Sequence, residues 1–417
     1  MLELDEMKNY SKRNFLKTIS SFGVFLVGAN LPIWASNNLA YAASSFTSYN
    51  LQEKDENDLM LLEGFKSRVV AITGKRPLRK YNYRPSRKSN YKWHRAPDGG
   101  AVFSTRSGGW IYVSNSEVFE NNKGGVGALV FDKNSNIVNA YSICSKTTGN
   151  CAGGPTPWNT WLTCEEIDEG FVLECDPSGN KKPIKHKSLG MFRHEAASVD
   201  PKTFNVYMTE DQEKGGFYRF IPKKKSKNKA NYKKGILQVA NIKDDKVEWL
   251  NVPEPQANPK IKKGKETKHI PVLMKRGKNS KIKYTIFNRG EGAWYHEGKI
   301  FFATTGDNSI WAYDISGEKF KIIYKGDGVL TEPDNVTVSK NGLILVAEDA
   351  GNMEIVAISQ KTKNVFPLIR IVGHKSSEIT GPAFDPSGKR LYFNSQRGKK
   401  NQRGITYEVT GPFEKYA

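Results

Sequence analysis

A six-bladed, all-β propeller with a metal site on its central axis is the architecture this sequence predicts, and three observations predict it. Six segments share one pattern: a strand closed by an acidic or amide residue, a loop, then a second strand. Tight-turn chemistry, Asp-Pro or Asn-Gly, precedes several of them. No helical periodicity lies between them, so three or four antiparallel strands recur six times.

In chain order the strand pairs are Ile111–Glu117 with Ala128–Asp132, Thr160–Glu165 with Phe171–Asp176, and Val206–Glu210 with Phe217–Ile221. Ile300–Asp307 with Ile310–Asp314, Leu343–Glu348 with Glu354–Ile358, and Leu391–Gln396 with Gly404–Glu408 follow. Each run carries the β-branched and aromatic residues that suit a pleated, half-buried surface. Further strands precede four of the pairs, at Ala197-Ser-Val-Asp-Pro, Ala293-Trp-Tyr-His-Glu-Gly, Val336-Thr-Val-Ser-Lys-Asn-Gly and Ala383-Phe-Asp-Pro-Ser-Gly. A small helical or extended lead-in is expected ahead of the first blade.

In a hairpin, the start of the first strand and the end of the second lie at the same end of the sheet. First-strand starts here are Cys151, Glu195, Glu291, Asp334 and Glu378; the matching second-strand ends are Glu165, Glu210, Asp307, Glu348 and Gln396. Glu117 closes the corresponding strand of blade one, Ile111–Glu117. If first strands line the channel, these side chains converge on one face. A strand-end acid is ordinarily just solvated, but a funnel of carboxylates repels itself unless cations neutralise it. Oxygen ligands select calcium or magnesium. A thiolate at Cys151 adds a transition metal, iron or zinc.

Size and charge bound the rest. The chain has 417 residues and a formal net charge of +21. Ser11-Lys-Arg-Asn-Phe-Leu-Lys17, an apolar run over 19–31 and Ala40-Tyr-Ala42 make 1–42 a signal peptide of twin-arginine-like type. The mature chain, about 43–417, is expected to be one propeller domain without stable membrane insertion. Residues 223–283 hold 19 Lys/Arg against 5 Asp/Glu, a lysine-rich insertion of solvated loops and one or two strands. They lack the aromatic interleaving of a nucleic-acid surface, so no nucleic-acid partner is expected. The four cysteines fit no CxxC metal pattern, and pairing among Cys144, Cys164 and Cys175 stays open.

The stretch Asn150-Cys-Ala-Gly-Gly-Pro-Thr-Pro-Trp-Asn-Thr-Trp-Leu-Thr-Cys-Glu-Glu166 resembles the PhoX-type alkaline phosphatases, in a short member. So do His194-Glu-Ala-Ala, Thr209-Glu-Asp, Arg289-Gly-Glu-Gly, Pro333-Asp-Asn-Val, Ala347-Glu-Asp and Ser377-Glu-Ile-Thr-Gly-Pro-Ala-Phe. The resemblance implies a six-bladed propeller, an iron (Fe3+) and calcium cluster, export by the twin-arginine translocon to the periplasm or beyond, and hydrolysis of small-molecule phosphate monoesters. It makes Cys151 the thiolate on iron. Glu210, Glu291, Glu195, Asp334, Glu348 and Glu378 become cluster carboxylates, and Arg289 the residue on the substrate phosphate. Lys146 is a further phosphate-binding candidate, and the expected state is a monomer. Two rival readings are a calcium-dependent propeller hydrolase acting on lactones or esters, and a non-enzymatic propeller binding polyanions through 223–283.

Overall fold

The computed structural model describes residues 49–77, 90–243, 246–252, 255, 260–263, 266–269, 283–326, 328–399 and 403–417. The expected signal segment, 1–42, lies outside them. Six antiparallel sheets follow one another along the chain, each with its first strand innermost. Those inner strands are Pro97–Ser104, Asn150–Pro155, His194–Val199, Gly290–His296, Pro333–Val338 and Ile379–Phe384. Each touches the next, and the last touches the first, which closes the ring.

Local chemistry sets the hairpins. Asp200 closes the first hairpin of blade three by accepting the Lys202 and Thr203 amides (3.0 and 3.2 Å). Asp385 does the same for the Lys389 and Arg390 amides in blade six (3.0 Å each). These are the Asp-Pro turns visible in the sequence.

The lead-in is extended where it is described, and it completes the ring. Lys66–Ile72 pairs with Ile405–Thr410 as the outermost strand of blade six, so one sheet joins both ends of the described chain. Leu59–Leu61 adds a fifth strand to blade five by pairing with Val365–Ile371. The first part of the lysine-rich segment is also blade. Ala230–Lys243 and Lys246–Asn251 form the two outer strands of blade three, with Tyr232, Leu237 and Val239 buried and Lys233 and Lys234 exposed. Lys260–Lys263 and Glu266–His269 form a separate hairpin.

The core is divided between the blades. Six apolar clusters fill the six interfaces; Phe301, Ile310, Ile344 and Val356 seal blades four and five, for example. Tyr207, Phe217, Phe302 and Tyr313 seal three and four. Truncating one such aromatic to alanine costs about 3–5 kcal/mol. Among the described residues no helix is long and apolar enough to cross a membrane.

Candidate metal centre

Every inner strand carries the same irregularity at its start. The ladder with the second strand skips two residues in each blade: between Pro97 and Gly100, Asn150 and Gly153, His194 and Ala197, Gly290 and Ala293, Pro333 and Val336, and Thr380 and Ala383. A bulge frees backbone from the ladder and re-aims a side chain. The first skipped residue is, in turn, Asp98, Cys151, Glu195, Glu291, Asp334 and Gly381. Five of six bulges therefore present a metal-ligating side chain where the inner strands converge. The sixth is glycine for a local reason. Gly381 has φ +61°, and a Cβ there would stand 2.5 Å from the Asp98 carbonyl oxygen.

Polar side chains restore much of the bonding the bulges forfeit. Asn115 donates to the Cys151 and Ala152 carbonyls (2.7 and 2.8 Å), and Thr209 to the Glu291 carbonyl (2.6 Å). Thr305 donates to the Pro333 carbonyl (2.7 Å), and Thr380 to the Pro97 carbonyl (2.8 Å). Each of these bonds runs from one blade to the bulge of the next, so the ligand-bearing loops are held by buried partners rather than water.

The side chains form three overlapping groups whose ligand atoms lie within 4.8 Å of one another: Asp98–Glu117–Cys151, Cys151–Glu166–Glu195 and Glu195–Glu291–Asp334. The Cys151 thiol donates to Glu195 Oε1 (3.2 Å), while Glu195 Oε2 is buried without a partner. Gln396 Nε2 donates to Asp98 Oδ2 and Glu117 Oε2 (2.6 and 2.7 Å). Burial, then the neighbouring charges of Glu291, Asp334 and Glu166, pushes the Glu195 carboxyl well above its ordinary range. Burial followed by Asp211 and Asp334 does the same to Glu291, and burial followed by Asp98, Glu195 and Glu117 to the Cys151 thiol. Ion-free, the cluster resists ionisation.

Two arginines border it. Arg289 is bound to Asp211 (2.8 and 3.3 Å) and to Glu291 (3.1 Å), with its side chain 39% exposed and its backbone left-handed (φ +54°). Arg397 pairs with Glu378 (2.9 Å). Glu378 precedes the blade-six bulge and feels Asp349, Glu117 and Asp98, so it belongs to the same acidic neighbourhood.

Not every expected residue joins. Glu165, Glu210 and Glu348 stand outside the three groups, and their carboxylates accept loop hydrogen bonds instead. Glu165 takes the Phe171 amide (3.3 Å), Glu210 the Gly216 amide (3.1 Å) and the Tyr218 hydroxyl (2.6 Å), and Glu348 the Glu354 amide (3.0 Å). In all three the amide acceptor is six residues upstream, a repeated loop clasp. One oxygen, Glu210 Oε1, stays buried without a partner. Their successors Glu166, Asp211 and Asp349 point the other way and interact with cluster acids, as strand alternation requires. Asp307 turns back to the Thr304 hydroxyl (2.5 Å), and Thr305 reaches the cluster through Glu291 Oε1 (2.9 Å). Lys146 is exposed at the end of the outer strand Ile137–Thr147 and shows no ion pair with the acids among the described residues. His194 packs on Phe192 (centroids 3.6 Å apart), and burial holds its imidazole down at about 3.

The family model described as Alkaline phosphatase PhoX matches residues 125–170 and 167–319. In fold the chain is similar to Pseudomonas fluorescens PhoX solved in complex with vanadate, a transition state analogue: TM-score 0.68, 16% identity, 87% of this chain and 98% of that one. Looser similarities are to a Xanthomonas campestris gluconolactonase (TM-score 0.42, 13% identity, 76% and 86% covered) and a Bacteroides thetaiotaomicron protein of unknown function (0.46, 8%, 83% and 76%). No curated protein sequence matches. A six-bladed propeller whose bulges gather acids at its centre is the architecture here, and the sequence match makes it an enzyme's. Over residues 125–319 the chain matches the PhoX alkaline phosphatase family model, and with its PhoX-like fold this supports a phosphatase of the PhoX type.

Proposed function

We propose that the chain is an exported phosphomonoesterase and that its acidic cluster holds iron together with calcium. The observation that carries this is the thiol among carboxylates: five equivalent bulges supply Asp98, Cys151, Glu195, Glu291 and Asp334. The residues fit such a centre. Glu195 Oε2 is a buried oxygen in want of a cation, the carboxylates suit calcium, and the soft thiolate suits iron. Cys151, Glu195, Glu291, Asp334, Asp98 and Glu117 would hold it, with Glu166 beside Cys151 and Glu195, and Glu378, paired with Arg397, completing the ligand set. Bound there, the metals would supply Lewis-acid polarisation of the phosphoryl group and neutralise its charge.

The chain's own residues do the rest. Arg289 is fixed by Asp211 and Glu291, so its guanidinium plane is set before substrate arrives, and its exposed edge offers planar donors to phosphoryl oxygens. Its left-handed backbone is local strain of the kind kept at functional positions. The proton on Cys151 Sγ, now given to Glu195 Oε1, must leave when a metal binds. Export through the twin-arginine translocon, to the periplasm or outside the cell, rests on Ser11–Lys17 and the apolar run behind it. Small phosphate monoesters are the substrate class.

The test is 4-nitrophenyl phosphate hydrolysis at alkaline pH by protein purified without chelator. Hydrolysis that chelation abolishes, and that Cys151→Ala loses, is the expected result. Hydrolysis indifferent to both would overturn the proposal.

A further inference from the structure

Beside the acidic cluster lies a cleft of about 290 Å³ lined by Arg95, Ala96, Glu117, Val118, Phe119, Gln396 and Arg397 among others. Two of its walls are shared with the cluster. Glu117 lies within 4.8 Å of Asp98 and Cys151 by its ligand atoms, and Gln396 donates to both Asp98 and Glu117. The cleft therefore opens onto the place where a phosphoryl group would sit. Its outer wall is apolar. Phe119 is 57% exposed, the highest value among the large apolar side chains described. Its ring lies against Gly149, where an added Cβ would stand 3.0 Å from it. Arg95 is tied to Glu120 (2.5 Å) and Arg397 to Glu378, which keeps both guanidinium groups at the rim.

Resting on the phosphatase reading above, we infer that this cleft is the seat of the ester's alcohol portion and that Phe119 selects substrates whose alcohol is flat and apolar, an aryl or arylalkyl group. The volume admits a group of that size, and a ring laid on Phe119 would cover an aromatic face that water otherwise meets. Glycerol-like or short alkyl alcohols gain nothing from that wall.

Metal-replete full-length protein, assayed with benzyl phosphate and ethyl phosphate, tests this. The two leaving groups are alkoxides of similar basicity, so their ratio of kcat/KM reports the cleft rather than the chemistry. Wild type is expected to favour benzyl phosphate, and Phe119→Ala to lower the benzyl-to-ethyl ratio about five- to tenfold. Phe119→Leu, which keeps bulk but no ring face, should fall between. A ratio that both variants leave within twofold of wild type overturns the inference and leaves the phosphatase reading standing. A wild-type protein that hydrolyses neither ester overturns both.

Discussion

Glu195→Gln is the perturbation that bears most on how the centre is built. Glu195, Glu291 and Asp334 bring ligand atoms within 4.8 Å of one another. At that separation, with an effective dielectric constant near 20, two ionised carboxylates repel by about 3.5 kcal/mol. Without metal, their pKa values are raised by burial and then by nearby acids: Glu291 and Asp334 act on Glu195, Asp211 and Asp334 on Glu291, and Asp349 and Glu117 on Asp334. A raised folded-state pKa means the folded chain binds more protons than the unfolded one above the ordinary carboxylate range. Stability is then greatest below that range and falls as pH rises through the raised values. The chelated protein should accordingly lose Tm from pH 5 to pH 9, while the metal-loaded protein should not. Gln keeps the shape and removes one charge. In chelator at pH 9 it should raise Tm by roughly 4–5 °C, taking about 1.3 °C per kcal/mol for a domain of this size. In the metal-loaded state it should lower Tm, because a ligand is gone. Differential scanning calorimetry in both states measures this. A variant that melts below wild type in chelator as well would refute the electrostatic account.

Other consequences follow from single contacts. Arg289→Ala should lower kcat/KM by about ten- to a hundredfold, the worth of a charge-assisted bidentate contact, and Arg289→Lys should recover only part of it. Glu174 accepts Trp158 Nε1 (2.7 Å), Thr160 Oγ1 (2.8 Å) and His186 Nε2 (2.9 Å). Burial alone would raise its carboxyl, but the His186, Trp158 and Thr160 donors and the Lys229 charge together outweigh burial and bring it to about 2. That depressed value stabilises the fold above about pH 4.5 and is lost as pH falls towards 2. Glu174→Gln should thus cost about 2 kcal/mol at pH 7, less than the full shift implies because Lys229 is solvent-screened, and nothing near pH 2; urea midpoints at both values check it. The thiols of Cys144 and Cys175 are hydrogen-bond partners across blades one and two, whereas the Cys151 thiol is engaged by Glu195. Oxidation of the protein should therefore link 144 to 175, closing a loop of about 30 residues worth about 3–4 kcal/mol. Peptide mapping under non-reducing conditions would show it, and a 144–164 link would contradict it.

The propeller was legible because its signal is repeated. Strand runs of Val, Ile, Phe and Tyr recur at each blade, with Asp-Pro or Asn-Gly turns in four of the six, so single ambiguities average out. The outer strand Lys66–Ile72 and the added strand Leu59–Leu61 were not, since their partners lie more than 300 residues away and nothing local specifies the pairing. At the site, Cys151, Glu195, Glu291 and Asp334 stand out in the sequence because a ligand-type residue opens each hairpin, and the structure brings them together. Asp98 was missed because Ala96-Pro-Asp-Gly-Gly100 reads as a plain turn; its likeness to Pro333-Asp-Asn was the available signal. The acid pairs Glu165-Glu166, Glu210-Asp211 and Glu348-Asp349 were visible, but which member faces the cluster depends on register. One residue of slip exchanges the two faces of a strand, and the bulges that set the register leave no mark in sequence.

Cys151 is the point on which the account turns, since the other four ligand-bearing bulges supply carboxylates. The most direct test is the metal content of wild type and Cys151→Ala, purified without chelator and measured by inductively coupled plasma mass spectrometry beside the phosphatase rate. Wild type is expected to hold iron together with calcium, and the variant to lose both iron and rate. Calcium alone in an active wild type, or iron undiminished in the variant, would contradict it.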